Sequence, residues 1–119
     1  FDEAPPGMLG LETALAVVTG ALGGALAEEE LFALMSTRPA VIAGLGRHER
    51  PSASHGGPVE PGVSANLCVF DPGASWVVDP RSLASRSRNT PFAGWTLTGR
   101  VRHTVFRGEP VVVDAKALR

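Results

Sequence analysis

The first third of the chain places apolar side chains at helical intervals. From Gly10 onward, Leu11, Leu15, Val18 and Leu22 recur with Ala14 and Val17 beside them, the spacing of one helix face. Gly23 and Gly24 are expected to end that helix. Glu28, Glu29 and Glu30 precede Leu31, Leu34 and Met35. The helix dipole favours negative charge in a first turn, so the triplet predicts a second helix and not a catalytic carboxylate cluster. Ser36 is the expected N-cap of a third, short helix, with Pro39 in its first turn, Val41, Ile42 and Leu45 apolar, and a stop near Gly46.

From Arg47 to Ser64 the pattern gives way to Gly, Pro, Ser and His with few large apolar residues, which reads as a long surface loop or a subdomain boundary. Beyond it the period shortens. Residues 65–70 (Ala-Asn-Leu-Cys-Val-Phe) predict a strand ended by Asp71-Pro72-Gly73, and Trp76 to Val78 a second ended by Asp79-Pro80. Arg100 to Phe106 alternates, Arg107-Gly108-Glu109 turns, and Pro110 to Val113 returns, a hairpin. The expected organisation is therefore 1–46 as an opening loop followed by three helices over 10–46, 47–64 as a loop or boundary and 65–119 rich in β-structure. Helices followed by strands argue for an α+β piece, yet each helix has one apolar face and no parallel strands of its own to cover. These helices call for a partner outside this sequence.

Composition narrows the function. Eleven Lys and Arg against twelve Asp and Glu among 119 residues give no field to draw the chain onto nucleic acid or an anionic membrane, so a small molecule is the expected partner. No apolar run reaches the ~20 residues of a membrane span. Cys68 is the single cysteine and is expected as a small buried strand residue in a cytoplasmic protein. Trp76 and Trp95 are expected as core or subdomain-interface anchors, because no basic stripe accompanies them. Arg86 and Arg88 are expected to be solvated or to tie down backbone carbonyls. The chain opens on Phe1 without an initiator methionine or a targeting pattern, which reads as an interior cut.

Five blocks carry a resemblance. They are Ala4-Pro5-Pro6-Gly7 with Gly10-Leu11-Glu12-Thr13; Met35-Ser36 with Arg38-Pro39-Ala40 and Gly44-Leu45; Ala65-Asn66-Leu67 with Asp71-Pro72; residues 85–92 (Ser-Arg-Ser-Arg-Asn-Thr-Pro-Phe); and Gly99-Arg100-Val101 with Arg107-Gly108. In this order they resemble the C-terminal portion of cyclic amidohydrolases and, within them, dihydroorotases. The third and fourth blocks are shared with hydantoinases, dihydropyrimidinases and allantoinases; the opening block discriminates more. The Arg47 to Ser64 stretch departs from the family, which crosses this region with a shorter segment.

The resemblance implies an α/β fold: the C-terminal part of a (β/α)8 TIM barrel with its last helices, plus a small β-rich composite subdomain. It implies a hydrolase that opens the cyclic amide of dihydroorotate, reversibly, to carbamoyl aspartate in pyrimidine biosynthesis. Another cyclic amide, or a non-catalytic subunit supporting aspartate carbamoyltransferase, are the alternatives. Pro6 and Gly7 are the positions that the resemblance carries over as substrate contacts, in a loop following the final barrel strand, where such folds place their active sites. Gly7 suits that role because a residue without Cβ lets a ligand approach the main chain. The family's zinc, held by histidines, a carboxylated lysine and an aspartate, would be bound upstream of this sequence. His48, His55 and His103 fit no common zinc spacing, there is no His-x-His pair, and the only lysine is Lys116. The sequence is thus expected to hold no catalytic residue and no metal ligand, with aspartate carbamoyltransferase or a second copy as candidate protein partners.

Overall fold

The computed structural model describes Glu3, residues 7–45 and residues 59–118. Helix α1 runs Ala14–Leu22. A continuous helical run follows, made of α2 (Glu28–Phe32), a π-helical turn (Ala33–Thr37) and α3 (Arg38–Ile42). Four strands, β1 (Leu67–Val77), β2 (Thr96–Phe106), β3 (Glu109–Val113) and β4 (Lys116–Ala117), form one sheet in the order β1-β2-β3-β4. The chain divides into two compact units, Phe1–Leu22 with Asp71–Arg100 and Gly23–Phe70 with Val101–Arg119.

In the first unit, α1 begins four residues later than its apolar spacing suggests. Gly10 to Thr13 forms a turn in which the Gly10 carbonyl accepts the N–H groups of Thr13 and Ala14 at 3.1 and 2.7 Å. Leu11 is 98 % exposed, whereas Thr13 and Ala16 are buried. The inward face is therefore set by small residues, and the predicted Leu11 to Leu22 stripe is not the buried one. Ala16 packs with Val78 and Leu97, and Val17, Trp76 and Phe92 lie against them. Val78, 1 % exposed, donates to Trp95 O and accepts from Gly94 N, both at 2.9 Å. Its isopropyl group thus reaches the core without orphaning its backbone.

Trp76 behaves as the expected anchor: its body packs against the core and its Nε1–H donates to Gly99 O at 2.9 Å. The Arg100 guanidinium lies 5.0 Å from its ring centroid, a cation–π contact. Trp95, in contrast, is 57 % exposed and meets Phe92 edge to face at 5.5 Å. It is no core residue of this unit.

The expected break at Asp71-Pro72-Gly73 does not occur, because β1 passes straight through it. Among the described strands β1 stands first in the sheet order, and an edge strand is where a proline is tolerated. Asp71 still makes its local bond, its Oδ1 accepting the Gly73 N–H at 3.0 Å. The stop before Asp79-Pro80 occurs as expected.

In the second unit the two expected helices are one. Ser36 lies inside the π-helical turn and caps nothing. Pro39 does fall in the first turn of α3; the wider π turn before it takes up the carbonyl register that a proline would otherwise disrupt. Leu31 and Ala40 are buried, while Val41 and Ile42 are 71 % and 87 % exposed and Leu34, Met35 and Leu45 are also exposed. Phe32 meets Phe70 edge to face at 5.9 Å.

The expected hairpin is present and longer, with β2 starting at Thr96. Arg107 and Gly108 take positive φ of 52° and 85°, the conformation a two-residue turn needs to match strand twist. Pairing runs Phe106 to Glu109 and Val105 to Pro110, then shifts through a bulge to Thr104 with Val112. A second such turn, Asp114 and Ala115 with φ of 47° and 61°, adds β4, which the sequence pattern does not announce. Asn66 secures the first turn, its Oδ1 accepting the Arg107 N–H at 3.0 Å. Cys68 lies in β1 as expected but is exposed, not buried. Partial burial of its thiol pushes the pKa above the ordinary 9.0.

Candidate functional site

Two of the five sequence blocks meet in the first unit. The segment from Gly7 to Thr13 and the segment from Leu83 to Thr90 are joined at both ends. At one end, Asn89 Nδ2–H donates to Gly7 O, and Asn89 O accepts the Leu9 N–H at 2.7 Å. At the other, the Glu12 carboxylate accepts the N–H of Ala84 at 3.1 Å and of Ser85 at 3.3 Å. The pairs Gly7–Asn89 and Glu12–Ala84 descend in opposite senses, so the segments run antiparallel.

The Leu83 to Thr90 segment is itself braced. Arg88 Nη1 donates to the carbonyls of Leu83, Ser85 and Ser87, which is the carbonyl-tying role expected of one of the two arginines; Arg86 is exposed. Leu83 and Thr90, at its ends, are buried. Just upstream, Asp79 Oδ1 accepts the Arg81 N–H at 2.9 Å. That backbone bond, with help from the Arg81 guanidinium, holds the Asp79 carboxyl below its ordinary 3.8.

Of the two expected substrate contacts, Pro6 lies outside the described residues. Gly7 is exposed with φ of +73°, and a Cβ built on it would meet nothing within 4 Å. Its need for glycine is therefore conformational and not steric. Its carbonyl is engaged by Asn89, and the space that a Cβ would take is empty among the described residues.

His48 and His55 also lie outside the described residues. His103, on β2, is engaged locally, its Nδ1 accepting the Asp114 N–H at 3.4 Å and its Nε2 lying 3.9 Å from Asp114 Oδ1. Among the described residues no group of three or more His, Cys, Asp or Glu side chains is placed to hold a metal ion. The described residues thus do not fit a zinc centre. No helix among them is long and apolar enough to cross a membrane. Sequence reasoning singled out Gly7 but missed Glu12 and Asn89 as its supports. The signal was that both sit in the resemblance blocks without apolar or turn-forming reasons to be there.

No family model matches the chain. Curated proteins do. The chain is 46 % identical over 111 residues to a dihydroorotase of Mycobacterium leprae, covering 92 % of this chain and 24 % of that protein. It is 44 % identical over 118 residues to a dihydroorotase of Mycobacterium tuberculosis, with 98 % and 26 % covered, and 41 % identical over 112 residues to one of Syntrophus aciditrophicus, with 93 % and 24 % covered. Solved structures share the fold. A D-hydantoinase (dihydropyrimidinase) from Thermus sp. superposes with a TM-score of 0.76 at 21 % identity over 99 % of this chain and 25 % of that one. An L-hydantoinase (dihydropyrimidinase) from Arthrobacter aurescens gives 0.75 at 28 % identity over 98 % and 25 %. The mixed α/β fold is thus that of amidohydrolase structures, and the chain spans about a quarter of the length of the curated relatives it matches. Over nearly all of its own length, the chain is similar in sequence to dihydroorotases and corresponds to about one quarter of such a protein.

Proposed function

We propose that this sequence works as part of a dihydroorotase, in which it forms the C-terminal end of a (β/α)8 barrel and part of a β-rich subdomain. Residues 1–46 would be the substrate loop and final barrel helices, 47–64 the boundary and 65–119 the subdomain. The observation that carries the reading is sequence identity of 41–46 % to proteins named dihydroorotase across 92–98 % of the chain. The hydantoinases align at 21–28 % and favour their own substrates less. The exposed Leu34, Met35, Val41, Ile42 and Leu45 support helices whose apolar sides face the rest of a barrel.

In this reading the reaction is hydrolysis of the cyclic amide of dihydroorotate to carbamoyl aspartate, in the cytoplasm. Zinc, held by residues upstream of this sequence, supplies the activated water when bound. This sequence contributes binding: the main chain at Gly7, with Pro6 next to it in sequence, meets the substrate. Among the described residues no metal site is placed, and residues 1–119 alone are expected to be inactive. Aspartate carbamoyltransferase or a second copy are the candidate protein partners.

The test is turnover by the full polypeptide that carries this sequence, with dihydroorotate, hydantoin, dihydrouracil and allantoin compared by kcat/KM. Preference for dihydroorotate by a hundredfold or more is expected. Preference for another ring overturns the substrate, and no turnover of any ring with added zinc supports a non-catalytic subunit instead.

A further inference from the structure

We propose that Asn89 is a positioning residue for the substrate, fixing the Gly7 main chain in the geometry in which it meets the ring, with Glu12 as the second anchor. The inference rests on the reading of Gly7 as a substrate contact and deepens it.

Asn89 holds the loop at two points two residues apart, its side chain at Gly7 O and its own carbonyl at Leu9 N. A peptide segment tied at both points cannot rotate its intervening plane freely. The Gly7 carbonyl can only accept, so the amide nitrogen of Asn89 must face it; an aspartate there would set an acceptor against an acceptor. Among the described residues nothing lies within 4 Å of where a Gly7 Cβ would be, and glycine is the residue with the most backbone freedom to lose. Its φ of +73° is therefore supported by these bonds and not by contacts at a Cβ position.

The anchor is itself rigid, because Arg88 gathers three carbonyls of the preceding turn and Leu83 and Thr90 are buried at its ends. Asn89 and Glu12 touch the loop and not the ring. They act by pre-organisation: a main-chain group already placed loses less freedom when substrate arrives.

The experiment uses the full polypeptide with Asn89→Ala, Asn89→Asp, Glu12→Gln and Gly7→Val, measuring kcat and KM for dihydroorotate and amide hydrogen exchange in the peptide covering residues 7–13. Both Asn89 variants are expected to speed exchange in that peptide and raise KM about tenfold with kcat within about twofold. Glu12→Gln, which keeps one carbonyl oxygen as acceptor, should shift both in the same direction by less. Unchanged KM in the Asn89 variants while Gly7→Val raises it overturns the positioning role and leaves the Gly7 contact standing. Unchanged KM in Gly7→Val as well removes the contact, and the positioning role with it.

Discussion

The Glu12 carboxylate accepts two consecutive backbone N–H groups, those of Ala84 and Ser85, across a sequence separation of more than seventy residues. It joins the turn that starts α1 to the loop that leads into β2, and with Asn89 it makes two distant stretches of chain one local structure. Hydrogen bonds to a charged group contribute about 1.5–3 kcal/mol when shielded and less in solvent. Glu12→Ala should therefore destabilise the protein by about 1 kcal/mol, and Glu12→Gln by less, measured as a shift in the urea midpoint at constant m-value.

Val78 is the most buried side chain of its unit. Val78→Ala removes two methyl groups from the contact with Ala16 and Leu97, each worth about 0.8 kcal/mol before the cavity cost. A loss of about 2–3 kcal/mol is expected in denaturant unfolding. A loss below about 1 kcal/mol would mean that this cluster is not a core.

Much of this fold was legible in the residues, and the misses share a cause. The Arg107-Gly108 hairpin could be read because its turn chemistry is local. Asp71-Pro72-Gly73 could not be read as strand, since a proline is tolerated in an edge strand and the place of β1 at the end of the sheet order is not local to these residues. Ser36 resembled a cap because a π turn leaves no mark in spacing. Leu11 fitted the helix period, yet Gly10 to Thr13 is a turn whose Glu12 is committed elsewhere. For the site, Gly7 was reachable through resemblance, but its bond to Asn89 joins residues 82 apart, a relation that no local pattern encodes.

Asp79 gives a pH dependence of known sign. Its folded-state pKa lies below the ordinary 3.8 because the Arg81 N–H stabilises the carboxylate, so its contribution is complete above that ordinary value and is lost as pH falls through the lowered one. The stability difference between the protein and Asp79→Asn should be constant near neutral pH and should shrink only on acidification below about 4. A difference that changes between pH 6 and 8 would contradict this assignment.

Cys68 combines surface exposure with a raised thiol pKa. Since the thiolate is the nucleophile, iodoacetamide at pH 7 should label Cys68 several-fold more slowly than a free cysteine. The deficit should narrow as pH is raised past the ordinary thiol range. Labelling as fast as free cysteine at pH 7 would show that the thiol is not desolvated.

The central claim is that this sequence serves a dihydroorotase and presents the Gly7 main chain to its substrate. The most direct test is the KM for dihydroorotate of the full polypeptide before and after Gly7→Val, a change that forces a β-branched residue into positive φ. The account predicts measurable turnover and a KM at least tenfold higher in the variant. Turnover with an unchanged KM in a folded variant would contradict it.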